Sequence, residues 1–244
     1  METQAVTGLV IREMKVSESD RLCWILTDSV GVIKAFVPNA LKINSKFLSA
    51  TQLLSYSKLY IKQGKDDTYR ISDAKPINVF FGVRNSIEAL ALCGYMCELL
   101  STLAPAGESA ADFLSVALNS AFILSENLMD RRIVKAVFEL KFCSLSGYMP
   151  DLFGCAVCGE ENPQGAVFSI TDGVFYCDRC GGEGLHINSG VLKAMRHIIF
   201  SDRKKAFSFR LEENALNTLC KVCERFVLTQ TDRNYKTLAF YKEL

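Results

Sequence analysis

The chain has 244 residues, of which 49% are hydrophobic, 23% charged and 10% aromatic. That is ample core material for one or two domains, or three small ones, and it excludes a disordered, collagenous or coiled-coil chain. Lys and Arg total 28 against 27 Asp and Glu, a net charge of +1, which excludes a protein that coats nucleic acid by charge alone. Residues 1–80 are mildly basic, with 11 Lys and Arg against 8 Asp and Glu.

The start, Met1-Glu2-Thr3-Gln4, has no basic and apolar leader behind it, so a reducing, cytoplasmic setting is expected for the ten cysteines. Residues 4–75 read as short strands at Ala5–Arg12, Leu22–Thr27, Val32–Val37, Ser55–Lys62 and Tyr69–Ser72. Turn signals at 28–31, 38–39 and 64–67 separate them. Five strands in so short a stretch suit a small closed barrel of the OB kind, and an SH3-like barrel fits the same pattern. Trp24 lies between Cys23 and Ile25 and reads as core.

From Pro76 the period becomes helical, predicting helices at Asn78–Thr102, Ser109–Glu126 and Asp130–Ser144. The apolar run Ile87–Ala106 raises a membrane question, but Glu88 and Glu98 within it favour a buried helix and no membrane is expected. Residues 151–188 lose the helical period. It returns at Ser189–Phe200, with Ser189 as the expected N-cap, and at Glu212–Thr229. The expected organisation is α+β: a five-stranded barrel at 1–77, then a helical domain at 78–150 and 189–244. A four-cysteine ribbon or knuckle is inserted at 151–188.

The strongest local signal is two C-x2-C pairs, Cys155/Cys158 and Cys177/Cys180, with 18 residues between them. Each pair makes a turn that aims two sulfurs at one point, and Gly159 and Gly181-Gly182 give the turns their freedom. The connection is long enough for a hairpin of Val167–Ile170 and Val174–Tyr176 around Gly173. Four thiolates close the tetrahedron, so one structural Zn2+ is expected, with no open position for substrate. Two redox pairs or four core cysteines are the alternatives, and His186 is an alternative ligand. Cys220 and Cys223 lie on one face of a helical run and read as core, with a redox pair as the rival. His197 reads as a surface or satisfied core histidine. No phosphate loop, dinucleotide fingerprint, nucleophile elbow or zinc-protease helix is present, so an enzyme is not expected.

Several ordered segments resemble the bacterial DNA repair and recombination mediator family RecO. They include Thr7-Gly8-Leu9-Val10-Ile11-Arg12, Glu18-Ser19-Asp20-Arg21-Leu22, Ile25-Leu26-Thr27, and Lys42 with Ser45 before Leu53. Further along come Tyr95–Leu100, Phe138-Glu139-Leu140-Lys141, Gly147–Leu152 leading into Cys155, and Tyr235-Lys236-Thr237-Leu238. The resemblance implies a protein that binds single- and double-stranded DNA and anneals complementary strands. It also implies that, with RecR, the protein helps load RecA onto strands coated by single-stranded DNA-binding protein (SSB), and that its helical domain receives the SSB C-terminal tail. A nucleoid-associated protein without nucleotide hydrolysis follows. The family's basic loop is here Asn39-Ala40-Leu41-Lys42-Ile43-Asn44, with fewer positive charges.

On a barrel of the OB kind cations track phosphates and aromatics stack bases. Arg12, Arg21, Lys34, Lys42 and Lys46 are the expected DNA contacts there. Arg131, Arg132 and Lys135 are expected to form a second cationic ridge at a helix start, where cations oppose the helix dipole and an anionic partner would fit. Arg203-Lys204-Lys205 is a further basic cluster. The competing function is a zinc-stabilised protein–protein adaptor whose barrel binds only proteins.

Overall fold

A computed structural model describes residues 3–64, 67–202 and 205–244. The expected turn at 64–67 and the basic cluster at 203–205 therefore lie partly outside the described residues. The chain forms two compact units, Met1–Asn127 with Thr237–Leu244, and Leu128–Lys236.

The first unit is built on a closed barrel of β1 (Gln4–Lys15), β2 (Arg21–Thr27), β3 (Val32–Val37), β4 (Tyr56–Gln63) and β5 (Thr68–Asn78), in the order β1-β2-β3-β5-β4. All neighbours are antiparallel except β3 and β5, which pair in parallel at Lys34–Phe36 and Thr68–Arg70. Alternation sends Val6, Val10, Cys23, Ile25, Ile33, Ala35, Leu59, Ile61 and Ile71 into the barrel. β1 breaks register between Val10 and Arg12, and this irregularity sets Arg12 opposite Trp24 on the outer face. Trp24 is half-buried and directed outward, which corrects its expected place in the core.

β5 runs beyond the expected strand, through Pro76 to Asn78. Its pairing with β3 ends at Arg70, so Pro76 needs no N–H on that side. Phe80 then takes a left-handed φ of 44°, and a 3-10 turn follows at Phe81–Asn85. Helix therefore starts at Ile87 and not at Asn78. Ser86 caps it by accepting the Ala89 N–H.

Before residue 127 the helices of this unit are a single turn, α1 (Phe47–Ala50), then α2 (Ile87–Leu103) and α3 (Ala111–Ser125). α2 and α3 thus belong with the barrel. Among the described residues no helix is long and apolar enough to cross a membrane. Glu98 of α2 instead accepts hydrogen bonds from the backbone N–H and hydroxyl of Thr237, tying in the last helix, α7 (Lys236–Lys242).

The second unit centres on α4 (Arg131–Leu145), in which every residue from Val134 to Cys143 is buried. α5 (Ser189–Phe200) and α6 (Glu213–Thr231) pack against it, and β6 (Gly165–Ser169), β7 (Val174–Cys177) and β8 (Leu185–Asn188) complete the unit. The hairpin read from the sequence is present as β6 and β7, and β8 adds a third strand on the other edge of β6. The N-cap of α5 is Asn188, whose side chain accepts the Val191 N–H, so Ser189 is the first helical residue. Buried Lys141 donates to the carbonyls of Ile199 and Ser201 at 2.8 Å each, a cation at the C-terminal end of α5.

The turn between β2 and β3 is pinned by the segment after α2. The Val32 N–H donates to the Pro105 carbonyl at 2.8 Å, and the Gly107 N–H to Val30 at 3.1 Å. Gly31 between them has a φ of +69°, and a Cβ there would lie 2.3 Å from the Pro105 oxygen. Gly31→Ala should therefore destabilise the barrel unit by about 2 kcal/mol or more, from left-handed strain and the clash together. Chemical denaturation followed by the fluorescence of Trp24, the sole tryptophan, measures this; an unchanged midpoint would show that the pinning carries no stability.

Candidate metal centre and nucleic-acid interface

The two C-x2-C pairs are brought together by β7 and by the loop that precedes β6. In the first turn the Gly159 N–H donates to the Cys155 carbonyl at 2.8 Å, and Gly159 has a φ of 74°. In the second, the N–H groups of Cys180 and Gly181 both donate to the Cys177 carbonyl at 3.0 Å. The Ala156 N–H bonds the Phe175 carbonyl at 2.9 Å, which fastens the first turn to the sheet.

All four ligand sulfurs lie within 4.8 Å of one another, and Cys158 and Cys177 Sγ are 3.6 Å apart. A tetrahedral ion with metal–sulfur bonds of about 2.3 Å requires sulfur–sulfur edges of about 3.8 Å, so the cluster fits such an ion. Its electrostatics fit as well. Burial raises the Cys155 thiol, but backbone N–H groups of Cys158, Cys177 and Val157 outweigh it and bring the group down to about 6. Hydrogen bonding to Cys158 and Cys177 pushes Cys180 up to about 12. Four sulfurs this close cannot all ionise without a cation among them. Four protein ligands leave no place for a substrate. His186 is exposed and outside the cluster.

Cys220 and Cys223 are a different case. Burial pushes Cys220 up to about 12 and Cys223 well above its ordinary value, so neither is a thiolate at neutral pH. His197 bonds the Lys205 carbonyl at 2.8 Å through Nε2 and packs on Phe209, as a satisfied histidine does.

The cationic residues singled out in the sequence separate into two groups. Arg12 and Lys34 are exposed on the outer face of the barrel, opposite Trp24 from either side. The Arg12 guanidinium lies 4.5 Å from the Trp24 ring centroid. Next along the same strands Phe36 pairs with Arg70, whose guanidinium is 5.5 Å from the Phe36 ring. Lys62 lies opposite Arg70 on β4. Arg12, Trp24, Lys34, Phe36, Arg70 and Lys62 thus form an alternating cationic and aromatic surface. The sequence lists these residue types, but only strand register shows which of them share a face.

Lys42 and Lys46 lie on the exposed loop before α1. That loop is anchored by Asp20, which accepts the Asn39 N–H at 2.8 Å. This bond, more than nearby Lys42, holds the Asp20 carboxyl below its usual range. Lys46 is paired with Asp73 at 2.6 Å and lies over the Phe47 ring.

Arg21 is not on the surface. It is buried, paired with Glu13 at 3.0 Å and bonded to Thr51 Oγ1, because β2 turns it toward α1. Nor do Arg131, Arg132 and Lys135 form an open ridge. Lys135 is buried between Glu139 at 2.7 Å and Glu224 at 2.8 Å. Burial works against its charge, but the two carboxylates outweigh that and keep the ammonium protonated. Arg132 is held by Asp130 and by Glu213 of α6. Arg131 is half-buried. Helical spacing places the three near one another; the carboxylates supplied by α6, far away in sequence, could not be read from it.

Two outcomes follow. Chelation, or Cys155→Ser, should open 151–188 to proteolysis and leave Trp24 fluorescence unchanged; intact protease resistance after chelation would remove the metal from the account. Lys135→Met should cost about 3–5 kcal/mol by leaving buried carboxylate charge uncompensated, and adding Glu139→Leu should recover part of it. A denaturation midpoint unmoved by Lys135→Met would show that the ion cluster is not holding α4 to α6.

Residues 1–80 match the family model described as Recombination protein O N terminal, and residues 84–239 match Recombination protein O C terminal. The DNA repair protein RecO of Acetivibrio thermocellus is 31% identical over 241 residues, covering 98% of this chain and 96% of that protein. That of Symbiobacterium thermophilum is 28% identical over 246 residues, with 98% and 96% covered. That of Clostridium perfringens is 26% identical over 236 residues, with 96% of each covered. With both of its parts matched to the two family models in order, and a barrel, a helical part and a four-cysteine cluster in place, the chain belongs to the RecO family of DNA repair proteins.

Proposed function

We propose that this protein is a recombination mediator that binds single- and double-stranded DNA on the outer face of its barrel and anneals complementary strands. On this reading it works with RecR to place RecA on SSB-coated single strands, in the cytoplasm at the nucleoid, and catalyses no covalent step. The observation that carries the reading is the barrel surface on which Arg12, Lys34, Lys62 and Arg70 alternate with Trp24 and Phe36. Cations neutralise phosphates irrespective of sequence and aromatics accept any base, which is what annealing requires. Arg12 and Lys34 remain the phosphate contacts, with Lys42 and Lys46 on the adjoining loop, while Arg21 and Lys135 serve the fold.

Zn2+ is the ion the four thiolates suit best. It is structural, and it would be held by Cys155, Cys158, Cys177 and Cys180. The ribbon itself is a poor DNA surface, since residues 151–188 carry six acidic residues and a single arginine. For the SSB tail, an acidic peptide ending in apolar side chains, the cleft of Leu128, Met129, Ile133, Phe207, Phe209 and Arg210 supplies an apolar floor and a cation.

Replacing Arg12 and Lys34 together by Glu should abolish most annealing of complementary oligonucleotides, with and without SSB. It should also lower the slope of log affinity against log salt by about two, roughly one per lost phosphate contact. An unchanged slope would move the DNA face off this surface. Absence of both annealing and single-strand binding by the wild type at low salt would favour the adaptor reading.

A further inference from the structure

At one rim of the barrel, beside the cationic face, lies a cleft of about 560 Å³, within the range of roughly 300–1,000 Å³ typical of small-ligand sites. Trp24, Lys34, Gln63, Asp67 and Tyr69 line it, with apolar Val30, Val32 and Ile33 behind and Ala106 and Gly107 as a wall. The wall is fixed. Pro105 and Gly107 are hydrogen-bonded to β3 and to the turn before it, and Gly31 is bridged to Ala106. The cleft is therefore formed before any ligand arrives.

Its chemistry is specific in kind. Arg12 covers one face of the Trp24 indole at 4.5 Å, and Trp24 also lines the cleft. An indole with a cation on one side is a polarised stacking platform on the other. Tyr69, packed against the barrel core, supplies a second aromatic surface with restricted freedom. The Gln63 amide offers both donor and acceptor, and the Asp67 carboxylate an acceptor for an exocyclic amino group. Lys34, opposite Trp24 on β3 and exposed, is placed for the adjoining phosphate. An apolar peptide side chain would leave Gln63 and Asp67 without a role. A phosphate alone would meet the Asp67 charge.

We propose that this cleft takes one unstacked base of a bound single strand, stacked on the indole face opposite Arg12, with Lys34 on its phosphate. The proposal rests on the reading of the barrel as the DNA surface and adds to it a base-binding position. A base held there is unavailable for pairing within its own strand while its unheld neighbours stay open to a complement, and it must leave the cleft before it pairs itself.

Trp24 is the only tryptophan, so it reports its own occupancy. Wild-type protein is titrated with an oligodeoxycytidine of about eight nucleotides, with an abasic oligomer of the same length and backbone, and with free deoxycytidine monophosphate. The base-bearing oligomer should quench Trp24 fluorescence and bind about tenfold more tightly than the abasic one, which should bind without quenching. Tyr69→Leu, which keeps apolar packing at the rim, should weaken the base-bearing oligomer about tenfold and leave the abasic one unchanged. Equal affinity for both oligomers with no quenching would overturn the cleft's role and leave backbone binding standing. Failure of both oligomers to bind would overturn the DNA reading and the cleft with it. Quenching that the free nucleotide saturates as tightly as the oligomer does would overturn the assignment to a strand-borne base.

Discussion

Lys34 pairs with Thr68, Ala35 with Tyr69 and Phe36 with Arg70, and this short parallel ladder between β3 and β5 closes the five strands into a barrel. Closure divides side chains into two sets. The interior of so small a barrel is filled by side chains, so Ile25, Ile33, Ala35, Leu59 and Ile71 must be apolar and must point inward. Arg12, Trp24, Lys34 and Phe36, their neighbours in sequence or across the ladder, are then forced outward. The same parallel pairing brings Arg70 to Phe36 and Tyr69 to the rim beside Trp24. The cationic and aromatic surface is thus a consequence of packing the barrel, and its spacing is set by the distance between strands.

The second unit handles charge in the opposite way. Among the described residues its buried cations are partnered locally: Lys135 by Glu139 and Glu224, Lys141 by the last carbonyls of α5. Removing one partner from such a buried set is costly because the remaining charge has no water to turn to. Four thiolates around the divalent ion proposed for the cluster would follow the same logic, with the metal as the shared partner. Lys193, Arg210, Lys221, Arg225 and Arg233 stay exposed outside those sets, while the ribbon is strongly acidic. The division of labour proposed above, with DNA on the barrel and proteins on the helical part, therefore rests on the cationic and aromatic register of the barrel strands and not on net charge.

Much of this was legible in the sequence because it depends on short-range pattern. The β2 and β3 alternation, the β6–β7 hairpin and the C-x2-C spacing are local signals, and each produced the element expected of it. Misplaced features depended on partners distant along the chain. Arg21 and Lys135 look like ordinary surface cations until Glu13 and Thr51, or Glu139 and Glu224, are packed against them. Trp24 follows the strand alternation that makes Cys23 and Ile25 core, and that alternation itself requires it to face outward. Its neighbours in sequence suggested burial; its phase along the strand decides otherwise. The late start of α2 turns on the left-handed conformation of Phe80 and on Ser86 as a cap, and the helical period of the following residues masked both. β8 is four residues long and is a strand only because β6 offers it an edge.

The central claim is that the barrel, not the ribbon or the helical unit, meets the DNA strand. Hydrogen–deuterium exchange of the full chain, with and without a saturating single strand, tests it most directly. The account predicts slowed exchange in peptides covering β1 to β3, the 38–46 loop and the 105–107 wall, with 151–188 unchanged. Protection confined to residues 128–236, with the barrel peptides exchanging as before, would contradict it.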